Sequence, residues 1–227
     1  MVRRRSKPGQ GRLPFKQRGG RREGAGRKPN GEKAMMPRTR RGDVPAKCPV
    51  HVTVRLKDEL PSLRRRREGR ILLRAFKAGK ERFGFRLIHF SIQSNHLHLI
   101  AEAQSREALS RGMKGLQVRI ARALNKAWER KGSVFSDRYH DHVLRSPREV
   151  RHALVYVLHN AKKHVRVRLK KDLDEYTSAR TFDGWKEKVA EAAGAIQEAV
   201  AEAATWLLKT GWRKRGRLSI RERPAPA

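Results

Sequence analysis

Polar and apolar positions alternate along His51-Val52-Thr53-Val54-Arg55-Leu56, a β-branched run that predicts a strand. Residues 63–80 set Leu63, Ile71, Leu72 and Phe76 among many arginines, which predicts a helix in a basic coat. Residues 85–92 read as a second strand, Ser94-Asn95 as a short turn, and residues 96–103 as a third strand that returns beside it in a hairpin. A long helix is expected from Ser105, because Leu109, Met113, Leu116, Ile120, Leu124 and Ala127 recur at steps of three or four; Lys131-Gly132-Ser133 ends it. Residues 134–144 read as extended. Ser146-Pro147-Arg148-Glu149 then opens another helix, since a capping box coincides with proline at the first helical position; it is expected to run to about Lys163. Residues 185–209 are alanine-rich, with Val189, Ile196, Val200 and Leu207 on one face, and predict a last helix that Gly211 stops.

The order strand–helix–strand–strand–helix–strand predicts an α+β fold: a ferredoxin-like antiparallel sheet with helices on one face, plus a C-terminal helix. Residues 1–43 show neither period. They hold 15 Lys/Arg against 3 Asp/Glu and 8 of the 18 glycines. Such a segment cannot bury enough apolar surface to order itself, so residues 1–45 are read as a disordered basic arm. Within it, Gly26-Arg27-Lys28-Pro29 resembles the minor-groove AT-hook; the plainer reading is an unspecific phosphate-binding tail.

Charge adds a partner to this picture. The 227 residues include 56 Lys+Arg and 22 Asp+Glu, a formal net charge of +34. Solubility asks a magnitude of only roughly 2–8 of a small domain, so the excess points to a polyanion, and nucleic acid is the plain candidate. The single cysteine, Cys48, excludes a disulfide framework and a CxxC-type metal site. No stretch approaches the roughly 18 apolar residues of a membrane helix, and no apolar segment follows the basic start. A cytoplasmic, nucleoid-associated protein without a membrane partner is expected.

Candidate chemistry sits on the third strand, Asn95-His96-Leu97-His98-Leu99-Ile100. Side chains alternate on a strand, so His96 and His98 project from one face and Leu97 and Leu99 from the other. Two imidazoles so spaced can hold one divalent cation; two ordinary surface histidines fit the same pattern. On the helix after Pro147, about 100° per residue puts Val150, Ala153, Leu154, Val157 and Ala161 on a core-facing stripe. Tyr156 and Asn160, four apart, share its flank, where they can serve a site or simply stand at the boundary.

These residues carry a resemblance. His96-Leu97-His98 matches the histidine–hydrophobic–histidine motif of the HUH endonucleases. Phe135-Ser136-Asp137-Arg138-Tyr139-His140-Asp141-His142-Val143-Leu144-Arg145, followed by Tyr156-Val157-Leu158-His159-Asn160, resembles the REP-associated tyrosine transposases, single-tyrosine HUH enzymes that act on single-stranded DNA. The likeness spans roughly residues 49–164, with both motifs in the family's order. It implies a nuclease domain over residues 46–168; the basic arm and the helical extension expected over residues 169–227 lie outside the likeness. It also implies that His96 and His98 are metal ligands, Tyr156 the nucleophile and Asn160 the third ligand, with Mg²⁺ or Mn²⁺ as the cofactor. The implied partner is single-stranded DNA with hairpins, and monomer and homodimer both remain open. Family members commonly place proline after the asparagine; Ala161 stands here, which bears on where the helix ends.

Three tyrosines compete for the role of nucleophile. Tyr176 lies in a charged loop, Tyr139 on an extended segment among His140 and His142, and Tyr156 on a helix; Tyr156 is preferred over its serious rival Tyr139. His159 is a weak candidate to take the phenol proton. Residues 64–67, the arginines of the Ser105 helix, and Lys162, Lys163, Arg166 and Arg168 are expected to track the DNA backbone. The rival function is a non-catalytic nucleic-acid-binding regulator, a domesticated transposase on the same fold. RNA-binding sheets of this topology carry paired aromatics on their central strands, and this chain has few.

Overall fold

Five strands form one antiparallel sheet in the computed structural model, which describes residues 41–160, 173–190 and 194–224. The elements are β1 (Val50–Arg55), α1 (Arg66–Gly79), β2 (Glu81–Arg82), β3 (Phe85–Ile92), β4 (His96–Ala103), α2 (Arg106–Ala127), β5 (His140–Val143) and α3 (Pro147–Leu158). The sheet order is β2-β3-β4-β1-β5. Without the short β2, this is the split βαβ arrangement of the ferredoxin-like fold, as the element order predicts.

Each face of the sheet has its own core. Val50, Val52 and Val54 of β1, with Leu97, Leu99 and Ala101 of β4, bury one face under α1 and α2 through Leu72, Phe76, Leu109, Met113 and Leu116. Gly112 lets α2 come close to β3: a Cβ there would stand 2.3 Å from Phe85 Cγ. Ile88 and Ile100 look to the other face, where Val150, Leu154 and Val157 of α3 cover them. The expectation of helices on one face thus holds for α1 and α2, while α3 takes the opposite face. The reason is a second apolar patch that only α3 and the chain after it can bury.

The C-terminal part differs from the expected continuous helix. Among the described residues there, two four-residue helices form, Ala195–Glu198 and Trp206–Lys209, with short 3₁₀ turns at Ala179–Thr181 and Gly211–Arg215. Tertiary partners take the backbone groups that a helix would have paired. Ala201 N–H donates to Leu87 O at 2.7 Å, and the buried Glu102 carboxylate accepts the N–H groups of Ala204 and Thr205 and the Thr205 hydroxyl. Trp185, Leu207, Leu208 and Trp212 are thereby pressed into the same core as α3. The basic arm up to residue 40, its AT-hook-like tetrapeptide, and Ala161, Lys162, Lys163, Arg166 and Arg168 lie outside the described residues.

Candidate active site

Cross-strand pairing assembles the site. Thr53 stands opposite His98 and Arg55 opposite His96 in the β1–β4 ladder, while β5 sets His142 opposite His51 and His140 opposite Thr53. Since residues directly opposite share a face, His51, Thr53, His96, His98, His140 and His142 all project to the side that α3 covers. The His96 and His98 rings lie edge to face with centroids 4.8 Å apart. His98 is buried and His96 half-buried.

The Nδ1 atoms of this pair are both engaged by neighbours. His96 Nδ1 lies 3.0 Å from Asn95 Oδ1, an acceptor, so His96 carries its proton on Nδ1. His98 Nδ1 lies 3.2 Å from Thr53 Oγ1 and 3.3 Å from His51 Nε2. Loss of water, then the nearby His142 and His140, push the His51 pKa down to about 4. His51 is therefore neutral near pH 7 and can accept from His98 Nδ1–H. With Nδ1 protonated on each ring, the ring lone pair lies on Nε2, the usual arrangement of a histidine that ligates metal through one nitrogen and is oriented through the other.

Helix α3 brings Tyr156 to these histidines. Ser146 caps it, accepting from Glu149 N at 3.2 Å, Pro147 occupies its first turn, and Glu149 accepts from Arg145 N at 2.9 Å. That last hydrogen bond, the largest influence, holds the Glu149 carboxyl below its usual range. Val150, Leu154 and Val157 anchor the helix to the sheet, and Tyr156, half-buried on its edge, meets His98 and His51. Its ring centroid is 5.0 Å from that of His98 and 5.6 Å from that of His51, edge-on to both. A cavity of about 510 Å³ opens beside it, lined by His51, His142, Glu149, His152, Tyr156 and Arg223 among others.

The helix ends earlier than expected, with His159 as its C-cap. Asn160 follows and is fully buried rather than set on a flank; neither of its amide atoms has a hydrogen-bond partner among the described residues. His159, the weak candidate for proton acceptor, turns into the core. Its Nε2 contacts Ser219 O at 3.1 Å and its ring packs on Trp185 at 5.0 Å.

The rival tyrosines lie elsewhere. Tyr139 belongs to the core beneath α1 and α2, with the Arg41 guanidinium 3.9 Å above its ring. Tyr176 packs against that same core under Arg64. Arg64 itself is committed to Asp174 through two hydrogen bonds of 2.7 and 2.8 Å, which removes it from the expected DNA-tracking surface. The amino-acid pattern did not single out His51 and Thr53. The available signal was their place at alternate positions of one strand, which gives them a common face.

The donor set suits a divalent cation. Among the described residues, no group of three or more His, Cys, Asp or Glu is placed to hold one. Two oriented imidazoles stand side by side here; Asn160, four residues beyond Tyr156, carries a buried amide, which is costly to leave unpaired unless a ligand meets it. No described helix is long and apolar enough to cross a membrane.

No curated protein matches the chain. Among solved structures, the REP-associated tyrosine transposase bound to a REP hairpin superposes with a TM-score of 0.55 over 75% of this chain and 100% of that one, at 17% identity, a likeness of fold. A family model described as "Transposase IS200 like" matches residues 45–160, just over half of the chain. That span contains all five strands, α1 to α3, the histidine pair, Tyr156 and Asn160. The chain therefore belongs to the IS200-like transposase family.

Proposed function

We propose that this transposase cleaves and rejoins single-stranded DNA through a 5′-phosphotyrosine at Tyr156, with Mg²⁺ or Mn²⁺ held by His96, His98 and Asn160. The observation that carries the reading is the packing of Tyr156, alone of the three tyrosines, against His98. When bound, the cation supplies Lewis-acid polarisation of a non-bridging phosphate oxygen.

The protein's own groups supply the rest. The Tyr156 hydroxyl attacks phosphorus in line; the P–O3′ bond breaks and leaves a 3′-hydroxyl, while the new phosphotyrosine keeps the ester energy for resealing by a 3′-hydroxyl. Thr53 and His51 hold the His98 ring, and Asn95 holds His96, so neither must reorganise during the step. The sheet and α3 fix the phenol relative to the histidines. The DNA hairpin bound to the solved relative supports a hairpin flanked by single strand as the substrate.

The test is a denaturing gel that detects a covalent protein–DNA adduct after incubation with single-stranded DNA and Mn²⁺. Tyr156→Phe should abolish the adduct and keep DNA affinity nearly intact, because binding is spread over many cations, while Tyr139→Phe should retain it. An adduct that survives in Tyr156→Phe and vanishes in Tyr139→Phe refutes the assignment. Complete absence of adduct in the wild type favours the non-catalytic DNA-binding reading.

A further inference from the structure

Arg55 stands directly opposite His96 in the β1–β4 ladder. Residues so paired share a face, with Cβ atoms about 4.5–5.5 Å apart. It is the same face that carries His51, Thr53 and His98. Of the residues that β1 and β4 set there, Arg55 alone holds a permanent positive charge.

The backbone of Arg55 is fixed while its head is loosely held. Its carbonyl accepts from Ser136 N at 3.1 Å and from Ser136 Oγ at 3.2 Å, and the next residue, Leu56, bridges to Phe135. The side chain, 55% exposed, pairs among the described residues with Asp58, through one hydrogen bond of 2.7 Å. Asp58 is itself 73% exposed, and a pair so open to water is weak. Most of the guanidinium N–H groups are left for another acceptor. The Asp58 Oδ1 that holds Arg55 also accepts from Asn95 Nδ2 at 3.2 Å, and Asn95 Oδ1 accepts from His96 Nδ1 at 3.0 Å. One hydrogen-bonded chain therefore runs from Arg55 through Asp58 and Asn95 to His96.

We infer that Arg55 is the phosphate-holding residue of the tyrosine site: its guanidinium leaves Asp58 when the DNA strand arrives and forks onto the phosphate lodged beside His96. The inference rests on the reading of the chain as a tyrosine transposase and names the group that meets the charge of its substrate. A guanidinium presents paired N–H groups that match two phosphate oxygens. Negative charge on those oxygens grows as the Tyr156 oxygen adds to phosphorus, so the contact strengthens during the attack and lowers its barrier. The fixed backbone sets the reach of the side chain, and the weak hold of Asp58 lets it go. Asp58, once released, still accepts from Asn95, so His96 keeps its support throughout.

The experiment follows adduct formation with single-stranded DNA in Mn²⁺ for wild type, Arg55→Gln, Arg55→Lys and Asp58→Asn, and measures Mn²⁺ binding without DNA by calorimetry. Arg55→Gln should slow the rate at saturating DNA about 100-fold, the usual cost of removing one donor to a developing oxyanion, with Mn²⁺ affinity and melting temperature unchanged. Arg55→Lys keeps the charge and loses the fork, so its rate should fall between the two. Asp58→Asn keeps an acceptor for Asn95 and frees the guanidinium, so it should reach half its saturated rate at a lower DNA concentration than wild type. A wild-type rate in Arg55→Gln overturns the inference. So does a loss of Mn²⁺ affinity in that variant, or an equal slowing in Asp58→Asn, since either would make Arg55 a support of His96 acting through Asp58 and Asn95. In a Tyr156→Phe background, the gain in single-strand affinity that Mn²⁺ brings reads the phosphate contact without cleavage. Adding Arg55→Gln should cut that gain about tenfold, and an undiminished gain overturns the inference. A wild type that forms no adduct beside an Arg55-dependent gain refutes the tyrosine chemistry and leaves the phosphate contact standing.

Discussion

Mild acid should destabilise this protein through His89. His89 is buried on β3, its Nδ1 3.1 Å from Ser178 Oγ and its ring edge-on to Phe182 at 5.6 Å. Ser178 Oγ also accepts from Phe90 N–H at 3.0 Å, which leaves the hydroxyl proton for an unprotonated Nδ1. Burial is the main cause that pushes the His89 pKa from 6.5 to about 4; Asp183 opposes it weakly. Between those values the unfolded chain binds a proton that the folded chain refuses. The stabilisation is therefore full above pH 6.5, is lost as pH falls, and is gone near pH 4. Integration from neutral pH down to about pH 5 gives a loss of about 2 kcal/mol, a sizeable part of the roughly 5–15 kcal/mol that holds a domain folded. His51, also at about 4, contributes a comparable loss. Urea unfolding at the two pH values, at constant ionic strength, measures the difference. His89→Gln removes the titration and keeps an acceptor for Ser178, so it should show about half the wild-type pH dependence. A variant that loses as much stability as the wild type between neutral pH and pH 5 would refute the reasoning.

Asn160→Ala should leave the metal-free protein no less stable, since a buried amide without partners costs about 1–3 kcal/mol, and should raise the Mn²⁺ concentration needed for half-maximal cleavage; an unmoved midpoint would remove Asn160 from the ligands. Thr53→Val deletes the hydroxyl beside His98 Nδ1 and should weaken Mn²⁺ binding about 10- to 100-fold, as supporting groups around metal ligands commonly do, with calorimetry as the check. Deletion of residues 1–40 removes a net +12 and should lower the salt slope of single-strand binding by about 0.7 for each phosphate that the arm neutralises, with adduct formation retained. An unchanged slope would show that the arm does not touch DNA.

Local signals in the amino-acid sequence determined much of this protein. β3 and β4 lie at the bounds their alternation predicts, Ser105 caps α2, and Ser146 with Pro147 and Glu149 opens α3, because each signal is satisfied within a few residues of chain. The histidine pair and Tyr156 were legible for the same reason: a strand's period of two and a helix's of 3.6 fix which side chains share a face. Other features depended on partners far along the chain. His51 and Thr53 reach His98 only because β1 pairs with β4, a register that no local pattern announces. The alanine-rich stretch had the propensity for one long helix, yet Glu102 and the Leu87 carbonyl draw its backbone onto the sheet. Helix propensity is worth only tenths of a kcal/mol per residue, and burial of Trp185, Leu207 and Trp212 beside α3 outweighs it. The three tyrosines divide in the same way: α3 brings Tyr156 to the histidine face, while Tyr139 and Tyr176 pack on the opposite core, and which face a helix covers is decided by the apolar surface left for it to bury.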